Sequence, residues 1–589
     1  MNLSDPNKMF NQLEIILDNC HPVDWLDIVD LLNRIKMTIK PSQMTNLEDS
    51  KKYNAKGTAF ISFSYGIDGV SVEIFKYARI LEDLFAPLKN PSIHFIGGNF
   101  QHQVFSKLCD EWRWYQLDGI DGWDKWDGGV WFKALFRKKM KSYSEESNLL
   151  TKEIYKQAVD IAKALGKYFL KNQISLIIPV NITSNPGNIA LTLGLVLVSE
   201  ILGVFVLNIN HDFYWEAGKP LAEREPGEAP GVRDHFFRNI NNKTFFTLFK
   251  SLYPWNGSRW LQANINGRQS RRLIRKYGFS KEKVFEISTC ISDTFFEAYS
   301  HKAVTDIRLR MGHILSDGAA VMRPVPINDH LSRIDQWMTD QQPVILGARS
   351  GLTVDPRSDG LIIMLQPTRI IGRKRIERNL DLIEALFLNS DLRNEFENHS
   401  NRRLILHITG PTPKEHQEDL EKVLFAYKKL ICILPKFLND RIFMAFSAGR
   451  ESHACFKEKN FKPLTIENIY QMADVVVFPS ETEGRGLPII EASACGIPII
   501  CSMYRPREVF YDVIGERLSK ELRLKYTLFP EGEFHRKMLS EAADLLINPE
   551  VNRYKILHNR EAVRSRFNYA TLKKKFEQLL DQLFELDKT

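Results

Sequence analysis

Between residues 475 and 501 the apolar and polar positions come in blocks rather than singly. VVVF (475–478) and IPIIC (497–501) are short β-branched runs of the kind that buried parallel strands use. Between them Pro488 suits the first turn of a helix, Ile489, Ile490, Ala492 and Ala494 continue it, and Gly496 suits its C-terminal cap. The predicted unit is strand, glycine loop, short helix, strand. Ligands of such units lie beyond the carboxyl ends of the strands, which puts Glu483 on the loop and Glu491 on the first helical turn in their path.

The same blocks recur along the chain. AFISFS (59–64) predicts a strand, YGIDGVSVEIFKYARILEDLF (65–85) a glycine loop entering an amphipathic helix, and SIHFIGG (92–98) the next strand. This is the opening of a Rossmann-like sheet, although the loop lacks the full GxGxxG spacing. SLIIPVN (175–181) is a further strand. The apolar segment 189–209 is long enough to span a bilayer, but Ser199 and Glu200 sit at its middle. It divides into a helix (189–202) and a strand (204–209) about Gly203, so it reads as buried αβ structure. HDFYWE (211–216) follows, placing His211 and Asp212 at a strand's carboxyl end. Residues 218–236 read as a mobile loop and 320–358 as an interdomain connection. LIIMLQ (361–366), RLILHITG (403–410) and RIFMAF (441–446) then predict strands of a second sheet. The expected organisation is a helical N-terminal extension and linker (1–55), a Rossmann-like domain (56–350), a second Rossmann-like domain (351–550) and C-terminal helices (551–589). The two α/β domains would face a central cleft.

Composition narrows the picture modestly. A chain of 589 residues exceeds one compact core, and 44% apolar with 26% charged residues is ordinary for a soluble globular protein. The net charge of +8 suits phosphates, nucleic acid or an anionic membrane without selecting among them. Seven scattered cysteines, without CxxC or zinc spacing, read as reduced, and the first residues are no signal peptide; a cytoplasmic location is expected. An aromatic patch at 112–132 includes Trp123 and Trp126, which either pack a surface loop or form a sugar-stacking acceptor wall. The basic run after it (133–141) reads as a solvated helix face, with peripheral membrane contact a minor alternative.

Candidate chemistry gathers in the second domain. Arg369 and Lys374 lie in the loop after LIIMLQ, where Arg can grip a phosphate bidentately and Lys adds a compact charge. The helix start near Gly486–Ile489 favours a negative group. Carboxylates would not bind that group, but they accept hydrogen bonds from hydroxyls. Two basic residues and two glutamates therefore describe a nucleotide-sugar site. No Asp-any-Asp triplet or metal-ligand cluster is evident. Against this, Glu491 could merely complement a helix N-terminus and the basic residues could be surface charges.

EGRGLPIIEASACGIPII resembles the glutamate-any-seven-glutamate signature of the retaining glycosyltransferases of family 4, which have the GT-B fold. QPTRIIGRK resembles that family's basic loop, GIDGVSVE its first glycine loop, and NINHDFYWE the stretch carrying its active-site histidine. The resemblance covers roughly residues 57 to 580. It implies that Arg369, Lys374 and the N–H groups around Gly486 and Leu487 bind the donor diphosphate. It implies further that Glu491 binds the ribose, that Glu483 contacts the donor sugar, and that His211 lies against that sugar from the opposite domain. Gly66, Asp68 and Gly69 would form a donor or acceptor loop; Asp212, Trp215, Trp123 and Trp126 are candidate acceptor contacts, although the tryptophan patch and the first 55 residues lie outside the motifs that carry the resemblance. The implied reaction is sugar transfer with retention from a UDP-, GDP- or ADP-sugar to a carbohydrate or polyol-type acceptor, with no obligatory metal or cofactor and no nucleic-acid partner. Arg485 stands where the family has phenylalanine, and EISTCISDTFF (286–296) stands where it has an asparagine-glycine segment. A catalytically silent nucleotide-sugar-binding or scaffold protein of the same fold is the alternative; an epimerase or phosphorylase fits less well.

Overall fold

The computed structural model describes residues 6–39, 56–66, 69–88, 91–101, 104, 111–122, 135, 139–217, 242–316, 318–413, 416–450, 453–458 and 460–586. Asp68, Trp123, Trp126, most of the basic run 133–141 and the segment 218–236 lie outside the described residues. Packing divides the chain into two compact units, Met1–Thr289 with Leu572–Thr589, and Cys290–Thr571.

The first unit is built on β1 (Thr58–Tyr65), β2 (Ile93–Phe100), β3 (Arg113–Gln116), β4 (Leu176–Pro179), β5 (Phe205–Asn210), β6 (Trp260–Asn264) and β7 (Val284–Glu286). Among the described residues these form one sheet in the order β3-β2-β1-β4-β5-β6-β7, with every neighbouring pair parallel. Thr58 is in register with Ile93 on one side and Leu176 on the other, so the strand order reverses between β1 and β4. The apolar segment forms the helix Ile189–Leu202, closed by Gly203 at φ +66°, and then β5, as its pattern predicts. Glu200 is tolerated there because its carboxylate accepts a 2.8 Å hydrogen bond from the Trp255 indole. No described helix is long and apolar enough to cross a membrane.

The helices Pro6–Asp18 and Trp25–Thr38 are present as expected, but they belong to the core of this unit rather than standing beside it. Leu13, Leu17, Trp25 and Leu32 are buried in the same cluster as Ala158 and Val198. The Trp25 indole donates to Ser147 Oγ at 2.9 Å, and Tyr155 Oη donates to the Leu17 carbonyl at 2.9 Å.

The second unit carries β8 (Val325–Pro326), β9 (Val344–Gly347), β10 (Leu361–Gln366), β11 (Arg403–Ile408), β12 (Ile442–Phe446), β13 (Val475–Phe478), β14 (Ile499–Ser502) and β15 (Thr527–Phe529). Their order is β15-β14-β13-β10-β11-β12-β9-β8, parallel except where β9 meets β12. Residues 320–358, expected as a connection, therefore supply two strands of this sheet. The break between the units falls at Thr289 rather than near 350, because Ile307, Met311 and Ile314 share a core with Leu361 and Ile363. The C-terminal helices also separate. Arg553–Phe567 gives Ala562 and Val563 to the second unit's core. Tyr569–Glu585 returns to the first, where Phe576 lies 5.5 Å from Tyr77 and Phe584 lies 5.2 Å from Phe205.

Three buried histidines give this architecture a pH dependence. Burial lowers His94 and His330 to about 4 and His407 to about 3, with Arg113 and Arg450 adding to the effect on His94 and His407. An unfolded histidine titrates near 6.5. As the pH falls below that value, the unfolded chain binds protons that the folded chain refuses, so stability is lost from about 6.5 downwards. His330 and His407 lie in the second unit and His94 in the first. At about pH 5 each should cost about 2 kcal/mol. We expect the second unit's calorimetric transition to move down further than the first unit's on acidification from neutral pH. Equal movement of the two would contradict this.

Candidate functional site

The strand order of the second unit reverses between β10 and β13, which lie side by side with Leu365 in register with Val476. Ligands bind at the carboxyl ends of strands at such a reversal. The loop leaving β10 carries Arg369 and Lys374, and the loop leaving β13 carries Glu483. Gly410, at the end of β11, lets the first loop come close. A β-carbon there would stand 2.4 Å from the backbone of Thr368. The loops are then laced together. Glu481 N–H donates to the Arg373 carbonyl at 2.8 Å, and Arg505 N–H donates to the Glu481 carbonyl at 2.7 Å. Glu483 N–H donates to the Arg505 carbonyl at 2.9 Å, and the Arg373 guanidinium donates to the Thr482 carbonyl at 2.7 Å.

This lacing joins two residues that the sequence treats separately. Lys374 Nζ donates to Glu483 Oε1 at 2.5 Å, with Arg373 3.7 Å from the other carboxylate oxygen. Both members of the pair are buried, Lys374 at 8% and Glu483 at 9% exposure. Burial is the largest influence on Lys374 and lowers its pKa; Glu483 opposes this, and the nearby Arg373 and Arg369 reinforce it. Arg369 is exposed.

Gly486 opens the helix Leu487–Cys495 at φ +75°, and Gly496 closes it at φ +73°. Position 486 must be glycine on two counts: the left-handed backbone, and a β-carbon that would stand 2.2 Å from Tyr504 Oη. The helix start has no side-chain cap; Pro488 has no N–H and Ile489 N–H donates to the Gly486 carbonyl at 3.1 Å, so what this start offers an anion is the N–H of Leu487. Glu491 lies in the second turn of this helix, not the first. That position weakens its use as a complement to the helix N-terminus, whose effect fades within one turn. One of its oxygens instead accepts a 2.6 Å hydrogen bond from the fully buried Tyr470. Arg373, Tyr470 and Tyr504 are site residues that sequence reasoning missed. Arg373 stood inside the basic loop already singled out, but nothing local marks the two tyrosines.

In the first unit His211 and Asp212 follow β5 directly, as expected. Asp212 N–H donates to Asn181 Oδ1 at 2.9 Å, and the Asn181 amide donates back to the Asp212 carboxylate at 3.3 Å. The Gln269 amide donates to the His211 carbonyl at 2.9 Å and to Glu216 at 2.8 Å. Asn181 beyond β4 and Gln269 thus pin the loop from two sides. Trp215 stacks with Phe213 at 4.1 Å and with Tyr277 at 4.8 Å, and Arg272 lies 4.9 Å from its ring. Gly66 N–H donates to Ser71 Oγ at 3.0 Å, and a β-carbon at 66 would stand 2.7 Å from the Gln101 amide. Gly69 faces open space. Among the described residues no group of acidic, histidine or cysteine side chains could hold a metal ion.

Residues 452–512, which contain the β13 loop and its helix, match the family model described as Glycosyl transferases group 1. Over 224 residues, 36% of this chain, the sequence is 25% identical to mannosylglucosylglycerate synthase of Thermotoga maritima and spans 47% of that protein. Over 34 residues, 6% of the chain, it is 53% identical to O-antigen chain mannosyltransferase B of Escherichia coli, covering 9% of it. The chain thus spans about half or less of the length of these curated relatives. Among solved structures it is similar to a glycosyltransferase from Rickettsia africae, at 13% identity and a TM-score of 0.48, with 90% of this chain and 98% of that one covered.

Proposed function

We propose that this chain is a glycosyltransferase that moves a sugar from a nucleotide-sugar donor to a hydroxyl of a carbohydrate or polyol-type acceptor. Transfer proceeds with retention at the anomeric carbon and without an obligatory metal. The observation that carries this reading is the buried Lys374–Glu483 pair beside an uncapped helix start, at the strand reversal of an α/β sheet. Arg369, Lys374 and the N–H groups around Gly486 and Leu487 bind the diphosphate. Glu491 binds the ribose hydroxyls and Glu483 the sugar hydroxyls. His211 serves the transferred sugar. The loop of Gly66, Asp68 and Gly69, together with Asp212, Trp215, Trp123 and Trp126, serves the acceptor side.

Loading a donor exchanges partners: Lys374 turns to phosphate oxygen and releases a Glu483 oxygen to accept from a sugar hydroxyl. The bond from the anomeric carbon to the phosphate oxygen then breaks as the acceptor oxygen bonds to the same face, and the acceptor proton passes to the leaving phosphate. The cationic loop and helix start stabilise the charge that builds there.

A thermal-shift panel of UDP-, GDP- and ADP-sugars tests this, since a ligand of the folded state raises the melting temperature. A mannose donor comes first, because both curated relatives are named for mannosyl groups. One donor should stabilise the protein, and Glu491→Ala should weaken it by about tenfold or more, as expected for loss of a charged hydrogen bond. A folded protein that no donor stabilises would remove the reading's support. Donor binding without product from any acceptor would favour the silent relative.

A further inference from the structure

Glu491 is held from behind by a residue the sequence does not mark. Tyr470 Oη donates to one of its carboxylate oxygens at 2.6 Å, with the tyrosine at 0% exposure and the glutamate partly open to solvent. The phenol is fixed in place on several sides. Its helix, Ile466–Gln471, starts at a capping box between Thr465 and Asn468. At the other end the Gln471 amide donates to the Cys495 carbonyl at 3.3 Å, which ties it to the last residue of the helix that carries Glu491. The same amide donates to the Glu297 carbonyl at 3.3 Å, and the Asn468 amide donates to Tyr299 Oη at 3.1 Å. The Tyr470 ring lies 6.1 Å from that of Phe295. All of these residues belong to the second unit.

The direction of the bond is fixed as well. Burial, with the Glu491 carboxylate adding to it, pushes the Tyr470 phenol well above its ordinary value, so it keeps its proton and donates. Packing alone does not call for a hydroxyl here. A phenylalanine ring would fill nearly the same space, and a buried hydroxyl costs free energy unless it is bonded. What the hydroxyl adds is its hold on Glu491. A glutamate side chain is among the most costly to order, and a bond made before the ligand arrives removes part of that cost from binding. An ionised carboxylate has about four acceptor positions, so one bond from Tyr470 leaves capacity for hydroxyls.

Resting on the nucleotide-sugar reading, we propose that Tyr470 is a positioning residue for ribose recognition: its hydroxyl orients Glu491 towards the ribose hydroxyls, and the site thereby selects ribonucleotides over deoxyribonucleotides.

Calorimetric titration with UDP, GDP and ADP and with their 2′-deoxy and 3′-deoxy counterparts tests this. The wild type should bind the ribose form of its nucleotide at least about tenfold more tightly than a deoxy form, as expected for loss of a hydrogen bond to a charged group. Tyr470→Phe should reduce that ratio by about threefold or more, within the cost of ordering a glutamate side chain, and leave the deoxy affinity unchanged. A tyrosine with a structural role alone would lower the melting temperature, or weaken both forms alike, and leave the ratio as it was. That result overturns the proposal. Glu491→Ala should itself bring the ratio towards one, and adding Tyr470→Phe to it should change the ratio no further. The double variant strands no carboxylate, so it decides the point where Tyr470→Phe alone does not fold. A further change in its ratio would show that the tyrosine acts without Glu491, and would overturn the proposal. A wild type with no preference for ribose removes Glu491 from the ribose and the proposal with it, while the donor reading stands on its phosphate contacts. If no nucleoside diphosphate binds, both fail.

Discussion

Lys374→Met is expected to abolish sugar transfer and to destabilise the second unit by about 3 kcal/mol, the low end of what removing one partner of a buried ion pair costs. The reason is what it leaves behind. Glu483 would keep a carboxylate at 9% exposure with Arg373, 3.7 Å away, as its remaining cation. A buried charge without a close partner is costly, whereas replacing both members by apolar groups of similar size is often neutral or better. Lys374→Met combined with Glu483→Leu should therefore regain the stability in urea unfolding. It should not regain nucleoside-diphosphate binding, for which the proposed site uses the ammonium. Glu483→Gln should keep a hydrogen-bond acceptor for Lys374 and lose turnover more than donor affinity. A Lys374→Met protein as stable as the wild type would show that the pair carries no structural weight. Retention of full activity by that variant would remove Lys374 from the site.

Gly486→Ala is expected to be nearly as damaging, for a different reason. The left-handed backbone at φ +75° costs an alanine about 1–2 kcal/mol. The new methyl would also overlap Tyr504 Oη, which adds about 1–3 kcal/mol unless the chain shifts. A shift is the more harmful outcome for function, because it moves the helix start proposed to hold the donor phosphate. Displacements of about 1 Å can lower turnover by about a hundredfold. Tyr504→Phe removes the hydroxyl and should ease the overlap, leaving the ring's Cζ at 2.9 Å from the new methyl and the backbone strain in full. The double variant Gly486→Ala, Tyr504→Phe should therefore recover part of the stability. If Gly486→Ala alone left both stability and turnover unchanged, the loop would be softer than its geometry indicates.

Much of this was legible in the residues. Short β-branched runs and the glycines that punctuate them fall in the structure within a residue or two of the expected strands and caps, as at Gly203 and Gly496. Such features depend on the chain's immediate neighbours, through backbone sterics and the burial of alternate faces, and so leave a local pattern. The basic loop, the two glutamates and the His211–Asp212 pair stood out for the same reason: each is a compact set of residue types at a predicted strand end. Glu491 was placed one turn too early because a helix start is blurred by one or two residues when its cap is read from Pro488 alone.

The N-terminal helices show where local pattern stops. Their apolar stripe says that one face is buried, but not in which core, and Trp25 reaches Ser147 across 122 residues. The unit boundary was misplaced because residues 320–358 look like a polar connection, and only pairing with β12 makes Val344–Gly347 a strand of the second sheet. By itself, the sequence determined that this protein alternates strands and helices in two α/β halves, and which residue types crowd the strand ends. The tertiary structure alone decided that β10 lies against β13, which closes a 109-residue separation into the Lys374–Glu483 pair, and that Tyr470 packs on Glu491 across β13. Strand order is decided by crossovers and long-range packing, and no periodicity along the chain records which strand will lie beside which.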